Sequence, residues 1–149
     1  MNNQRQWASV EQNDEKLYLD LCLLYAQDEV AFSSFRRTGL GKILEGGSYE
    51  VGEIALKIMT RVGNLPKLKN HIDNARKNDS VGTPFIHQYG DLPPCSSSTL
   101  QYLGDSFEIT NLIGTTQIKK ITEIGGGFGG LCRILDDFIK FDKYTLIDQ

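Results

Sequence analysis

Long apolar runs, paired cysteines and basic clusters are all missing from this chain, and each absence removes a class of function. No stretch reaches the roughly 20 apolar residues that a membrane-spanning helix needs. Met1-Asn2-Asn3-Gln4-Arg5-Gln6-Trp7 has no apolar segment of the kind a secretory signal carries. Three cysteines, Cys22, Cys95 and Cys132, are odd in number and widely spaced, which suits neither a disulfide framework nor a zinc site. A reduced, cytoplasmic setting is therefore expected. Cys132 would stand near a helix start, where a thiol pKa can fall, but a packing role is favoured. The net charge is −3 and the basic pairs Arg36-Arg37, Arg76-Lys77 and Lys119-Lys120 stand apart from one another. They read as solvated surface charge, and a nucleic-acid partner is not expected. Internal repeats and low-complexity tracts are also absent.

What is present is an ordinary globular composition, 40% hydrophobic and 23% charged over 149 residues, enough for one domain or for a domain and a piece of another. The first dozen residues are polar and expected to fray. Asn13-Asp14 then offers a cap for a helix carrying Leu17, Leu21 and Leu24, with Tyr18, Cys22 and Tyr25 beside them. Phe32 and Phe35 extend an apolar face as far as Arg36-Arg37. Thr38-Gly39-Leu40-Gly41 and Gly46-Gly47-Ser48 are breaks, the second ending in a candidate N-cap. Val51, Ile54, Ala55, Ile58, Met59 and Val62 repeat at helical spacing as one stripe. Gly63-Asn64 ends that helix. Pro66 opens another, to about Lys77, with Leu68, Ile72 and Ala75 on its buried side. His71 lies on that stripe and is expected to play a structural part. Turn signals fill Asp79 to Pro94, around a short extended piece, Phe85 to Tyr89. Ser96-Ser97-Ser98-Thr99 starts a last helix through about Leu112, burying Leu100, Leu103, Phe107 and Leu112, and Gly114 closes it.

From Ile118 the pattern changes. Ile118, Ile121, Thr122 and Ile124 predict a strand apolar on both faces, as buried parallel strands are. Glu123-Ile124-Gly125-Gly126-Gly127-Phe128-Gly129-Gly130 follows as a glycine-rich turn. Leu131 to Ile139 then reads as a helix, and Lys143 to Asp148 as a second strand. This is one β-α-β unit behind a helical segment. Glycine supplies the unusual backbone angles of such a turn and lets a ligand lie against bare backbone. Asp148 falls nineteen residues after Gly129, a spacing that suits a carboxylate accepting hydrogen bonds from ribose hydroxyls.

The glycines alone leave two ligands open. Gly125, Gly127 and Gly130 satisfy the dinucleotide pattern G-x-G-x-x-G. Gly125, Gly127 and Gly129, with Glu123 ahead of them, satisfy E/D-x-G-x-G-x-G, the first motif of class I methyltransferases. Glu123 favours the second reading. A carboxylate there suits the cationic aminoacyl part of S-adenosyl-L-methionine and is out of place beside an anionic pyrophosphate. The helical stretch ahead of the first strand agrees, since many methyltransferases carry such an extension.

The run from Glu123 to Arg133, with Tyr144-Thr145-Leu146-Ile147-Asp148, resembles the sugar O-methyltransferase family of bacterial polysaccharide loci. The likeness extends upstream through Phe35-Arg36, Lys77-Asn78-Asp79 with Gly82, and Ser97-Ser98-Thr99-Leu100-Gln101-Tyr102. It departs at Cys95-Ser96-Ser97-Ser98, where a proline is expected in the helix start. The resemblance implies an α/β fold: a helical segment, residues 1–115, serving as lid, substrate or dimerisation region, then the first β-α-β unit of a Rossmann-like class I methyltransferase fold, residues 116–149. It implies S-adenosyl-L-methionine as cofactor, held by Glu123, Gly125, Gly126, Gly127, Gly129 and Asp148, and a sugar or glycan as methyl acceptor in polysaccharide biosynthesis. A base would take the hydroxyl proton. No catalytic residue and no metal ligand is named in this chain, and a structural role is favoured for His87 and Tyr89. A class I core has more strands than this chain supplies. The chain is therefore expected to be the N-terminal fragment of a longer enzyme, truncated, split or incompletely sequenced, which binds the cofactor weakly or with a complementing C-terminal chain or a homodimer partner. Two alternatives stand beside it: an NAD(P)-binding oxidoreductase fragment, and a non-catalytic helical dimerisation module.

Overall fold

Each helix predicted from periodicity forms, the last only over Gly130–Leu135 and not to Ile139, but the face it buries is set by neighbours that periodicity does not name. The structure, a computed structural model, describes residues 12–38, 47–114 and 118–148. The polar N-terminal stretch and the expected breaks at Gly39-Leu40-Gly41 and Gly46 lie outside the described residues.

Helix α1 spans Gln12–Gln27. It turns Tyr18, Leu21, Cys22 and Tyr25 toward Phe35, while Leu17 and Leu24 face solvent. Aromatic rings bury more area per residue than leucines, and that decides the rotation of the helix. Helix α2, Glu29–Phe32, is one turn, started by Asp28, whose Oδ1 accepts from the amides of Val30 at 2.8 Å and Ala31 at 3.0 Å.

Helix α3, Tyr49–Arg61, buries Gly52, Ala55 and Met59. Ile54, Ile58 and Val62 remain exposed, so the predicted stripe is wider than the contact. Gly52 sets the angle, because a side chain there would collide with Tyr89. Helix α4, Leu65–Ala75, has Pro66 in its first turn and buries Leu68, Ile72 and Ala75 as its spacing predicts. It runs on as a 3-10 turn, Arg76–Ser80. His71 stacks on Phe138 at 4.4 Å between ring centroids and meets the edge of Phe107. Its role is packing. The extended piece reduces to one antiparallel bridge between His87 and Cys95. Helix α5, Ser97–Ile113, is capped by Ser96, whose Oγ accepts from the Thr99 amide at 3.2 Å. Leu100, Leu103 and Phe107 are buried, but Leu112 in the last turn is 84% exposed.

Strand β1, Ile118–Ile124, helix α6, Gly130–Leu135, and strand β2, Phe141–Ile147, complete a β-α-β unit with a parallel register from Ile118 opposite Phe141 to Ile124 opposite Ile147. The architecture is mixed: helices plus a two-stranded parallel sheet. No residue of either strand is buried, against the expectation of a strand covered on both faces. By alternation, Ile121, Glu123, Tyr144 and Leu146 share one face, and Lys120, Thr122, Ile124, Lys143 and Ile147 the other. The main core takes Met59, Leu68, Ile72, Leu100 and Leu103 from the helical segment and Ile134 from α6, so it crosses the expected division at residue 115.

Arg36 corrects the reading of Arg36-Arg37 as surface charge. Its side chain is fully buried. It donates to the carbonyls of Asn78 at 2.9 Å and Val81 at 3.1 Å and to the hydroxyls of Ser98 at 2.7 Å and Ser96 at 3.3 Å. Asp79 lies 3.9 Å away as counter-charge and is itself held by the Ser96 and Thr99 hydroxyls. A buried charge persists only with such partners. Replacing Arg36 strands Asp79, so Arg36→Leu is expected to lower the unfolding free energy by about 3–5 kcal/mol. Arg37→Leu, at the exposed neighbour, should cost less than about 1 kcal/mol. Urea titrations followed by circular dichroism compare the two, and equal losses would contradict the assignment.

Candidate functional site

The parallel strands end side by side, and the chain leaves β1 through the glycine turn. The Gly125 amide donates to the Ile147 carbonyl at 2.8 Å, which ties the turn to the end of β2. Gly125, Gly127 and Gly129 have φ of 74°, 51° and 84°, all left-handed. At Gly125 and Gly127 a side chain would meet nothing within 4 Å. These two positions combine left-handed backbone angles, which favour glycine, with open space, a condition for a ligand to lie against backbone. Gly126 and Gly130 are the opposite: Leu146 and Glu123 cover the first, and Tyr102, Phe128 and Asn78 press on the second.

The predicted site residues divide accordingly. Asp148 reaches the turn, its Oδ2 accepting from the Gly127 amide at 2.8 Å. Glu123 lies beneath the turn, half-buried, accepting from the Tyr144 hydroxyl at 2.9 Å. Burial and that hydrogen bond push the Tyr144 phenol pKa up. The thiol of Cys132 is also pushed up, by burial and then by the charges of Glu123 and Asp136. The lowered pKa of a reactive thiol is absent there, and a packing role fits. Cys22, Cys95 and Cys132 are all free thiols.

Two features escape the sequence reading. One is a cavity of about 590 Å³ between the α1–α2 segment and the turn. Tyr18, Tyr25, Phe32, Phe35, Gly127 and Phe128 line it. The Tyr18 phenol is pushed to about 12 by burial, by Cys22 and by the charge of Asp148. Its readable signal is the spacing of Tyr18, Cys22 and Tyr25, three and four residues apart on α1. The other feature is Asp105 on α5. Burial, then the carboxylates of Glu108 and Glu123, raise it to about 6. His87 and Tyr89 belong elsewhere. They cluster with Tyr49, whose ring stacks on Tyr89 at 4.9 Å, and His87 Nε2 lies 3.0 Å from the Gly47 carbonyl. Neither lines the cavity beside the turn.

The open backbone at Gly125 and Gly127, the acid at Asp148 and the adjoining cavity accommodate a nucleoside-sized group, which fits the implied cofactor class. Among the described residues, no three His, Cys, Asp or Glu side chains converge as a metal site, and no helix is long and apolar enough to cross a membrane. Compared with family models, curated proteins and solved structures, the chain has no match.

Asp105 makes stability depend on pH. Its folded pKa of about 6 lies above the unfolded 3.8, so the folded state holds the proton more tightly. The resulting stabilisation is complete below pH 3.8 and lost as pH rises through 6. Asp105→Asn is expected to stabilise the protein by about 1 kcal/mol at neutral pH, after allowance for solvent screening, with no gain in acid. Thermal melts across that range check it, and a gain that grows toward low pH would refute it.

Proposed function

We propose that the chain holds S-adenosyl-L-methionine at the glycine turn and belongs to a methyltransferase acting on a sugar hydroxyl. The observation that carries this is the pair Gly125 and Gly127, left-handed and unobstructed, beside a carboxylate at the end of β2. The motif at residues 123–133 and 144–148 points to the methyltransferase superfamily, the upstream matches at Phe35-Arg36, Lys77-Asn78-Asp79 with Gly82 and Ser97-Ser98-Thr99-Leu100-Gln101-Tyr102 suggest the sugar substrate class, and the β-α-β topology supports a Rossmann-like fold. Gly125 and Gly127 give the backbone approach, and Asp148 accepts from ribose hydroxyls. Glu123, held by Tyr144, contributes negative charge from beneath the turn to the cationic aminoacyl end. The bound cofactor supplies an electrophilic methyl group. The chain's part is to fix its position, since proximity and orientation carry much of such a transfer.

One observation favours a dinucleotide instead. Gly130, the third glycine of G-x-G-x-x-G, is tightly packed as that pattern expects, although against Tyr102 of α5 and not against a strand. Isothermal titration of the chain with S-adenosyl-L-methionine and with NAD⁺ separates the two readings. Binding of the first is expected, abolished by Gly127→Val and weakened by about 2 kcal/mol in Asp148→Asn. Preference for NAD⁺ would overturn the assignment.

A further inference from the structure

The cavity beside the turn has an unusual wall. Its rings come from both sides: Tyr18, Tyr25, Phe32 and Phe35 from the α1–α2 segment, and Phe128 from the turn itself. They form one aromatic cluster. Phe32 and Phe35 stack at 5.2 Å, Tyr25 is tilted against Phe35 at 6.1 Å, and Phe128 meets Phe35 edge-on at 5.7 Å. One carboxylate, Glu29, joins the lining, and no lysine, arginine or histidine does. Arg36 lies over the Phe128 ring at 4.6 Å but is drawn into its own buried network and is not part of the wall. Asp148 adds a second negative charge at the Gly127 side.

Aromatic faces with acidic and no basic groups attract cations. A hard metal ion is a poor occupant, because among the described residues no three carboxylate, histidine or cysteine side chains converge to replace its hydration shell. A phosphate would meet negative charge on both sides. The ligand class that satisfies the wall is an organic cation whose charge is spread over alkyl groups, as in aromatic cages for quaternary ammonium.

Resting on the reading of the glycine turn given above, we infer that the α1–α2 segment is the sulfonium-recognition element of the site, placing the methylsulfonium of S-adenosyl-L-methionine against the rings of Tyr18 and Phe32. The segment then selects the charged cofactor over its neutral thioether product. Cofactor discharge removes the positive charge, which weakens the hold of the aromatic wall and favours product release.

The test is a ratio of affinities. The chain is titrated with S-adenosyl-L-methionine and with S-adenosylhomocysteine, which lacks the methyl group and the charge. Tyr18→Leu keeps an apolar side chain and removes the ring, and it should shift the ratio toward the thioether by about 2- to 30-fold. Tyr18→Phe should leave the ratio as in the native chain. Phe32→Leu, at a residue 47% exposed, carries the same test should Tyr18→Leu fail to fold. An unchanged ratio in the leucine variants, or equal weakening of both ligands, overturns the inference while the cofactor assignment stands. Failure of the native chain to bind either ligand overturns the cofactor assignment, and this inference with it.

Discussion

The Arg36 side chain is the interaction on which the rest of the structure depends. A guanidinium with no solvent contact is tolerated because its donors find acceptors on separate segments: the 3-10 turn at Asn78, the strand-like link at Val81 and the start of α5 at Ser96 and Ser98. Each partner lies 42 to 62 residues from Arg36 along the chain. The charge therefore acts as a clamp between the α1–α2 segment and the frame that carries the β-α-β unit. Phe128 sits on the same guanidinium, so the clamp also sets one wall of the cavity. Residues far apart in the chain meet at this point. Phe35-Arg36, Asn78-Asp79 and the Ser97-Ser98-Thr99 helix start surround one buried ion pair.

The glycine turn divides two demands among adjacent residues. Gly125 and Gly127 leave backbone uncovered, whereas Gly126 and Gly130 are absorbed in packing against Leu146 and Tyr102. The packed pair fixes the turn against α5 and β2, and the fixed turn presents the open pair in one orientation. Preorganisation of this kind cuts the ordering cost of binding.

Features with a local cause were legible in the sequence. Pro66 and the spacing of Leu68, Ile72 and Ala75 located α4, and glycines between two apolar runs located the turn. Asp148 was legible because strand and helix lengths fix how far along the chain the second strand ends. Features with a distant cause were not. Arg36-Arg37 looks alike at both positions, and only the fold places Asp79 beside the first. The face α1 buries depended on Phe35, and the depth of Glu123 depended on Tyr144 across the sheet. Asp105 showed only a like-charged neighbour at Glu108, while its third carboxylate, Glu123, belongs to another element.

The sheet itself contributes little to holding the site. Two parallel strands are marginal in isolation, and here the polar pair Glu123–Tyr144 lies on the face shared with Ile121 and Leu146, while Ile124 and Ile147 point outward. Burial of strand side chains therefore cannot be what positions the turn. That role falls to α6, whose Ile134 is fully buried in the core built by Leu68, Ile72, Leu100 and Leu103. At about 25 cal/mol per Å² of apolar surface, removing that side chain from water is worth roughly 2 kcal/mol. Arg133 adds a hydrogen bond to the Asn74 carbonyl at 3.1 Å from the same helix. The helix holds the turn from behind, the Gly125 amide ties it to β2, and Arg36 holds the aromatic cap over it. The glycine turn is consequently anchored to the helical segment more firmly than to its own sheet.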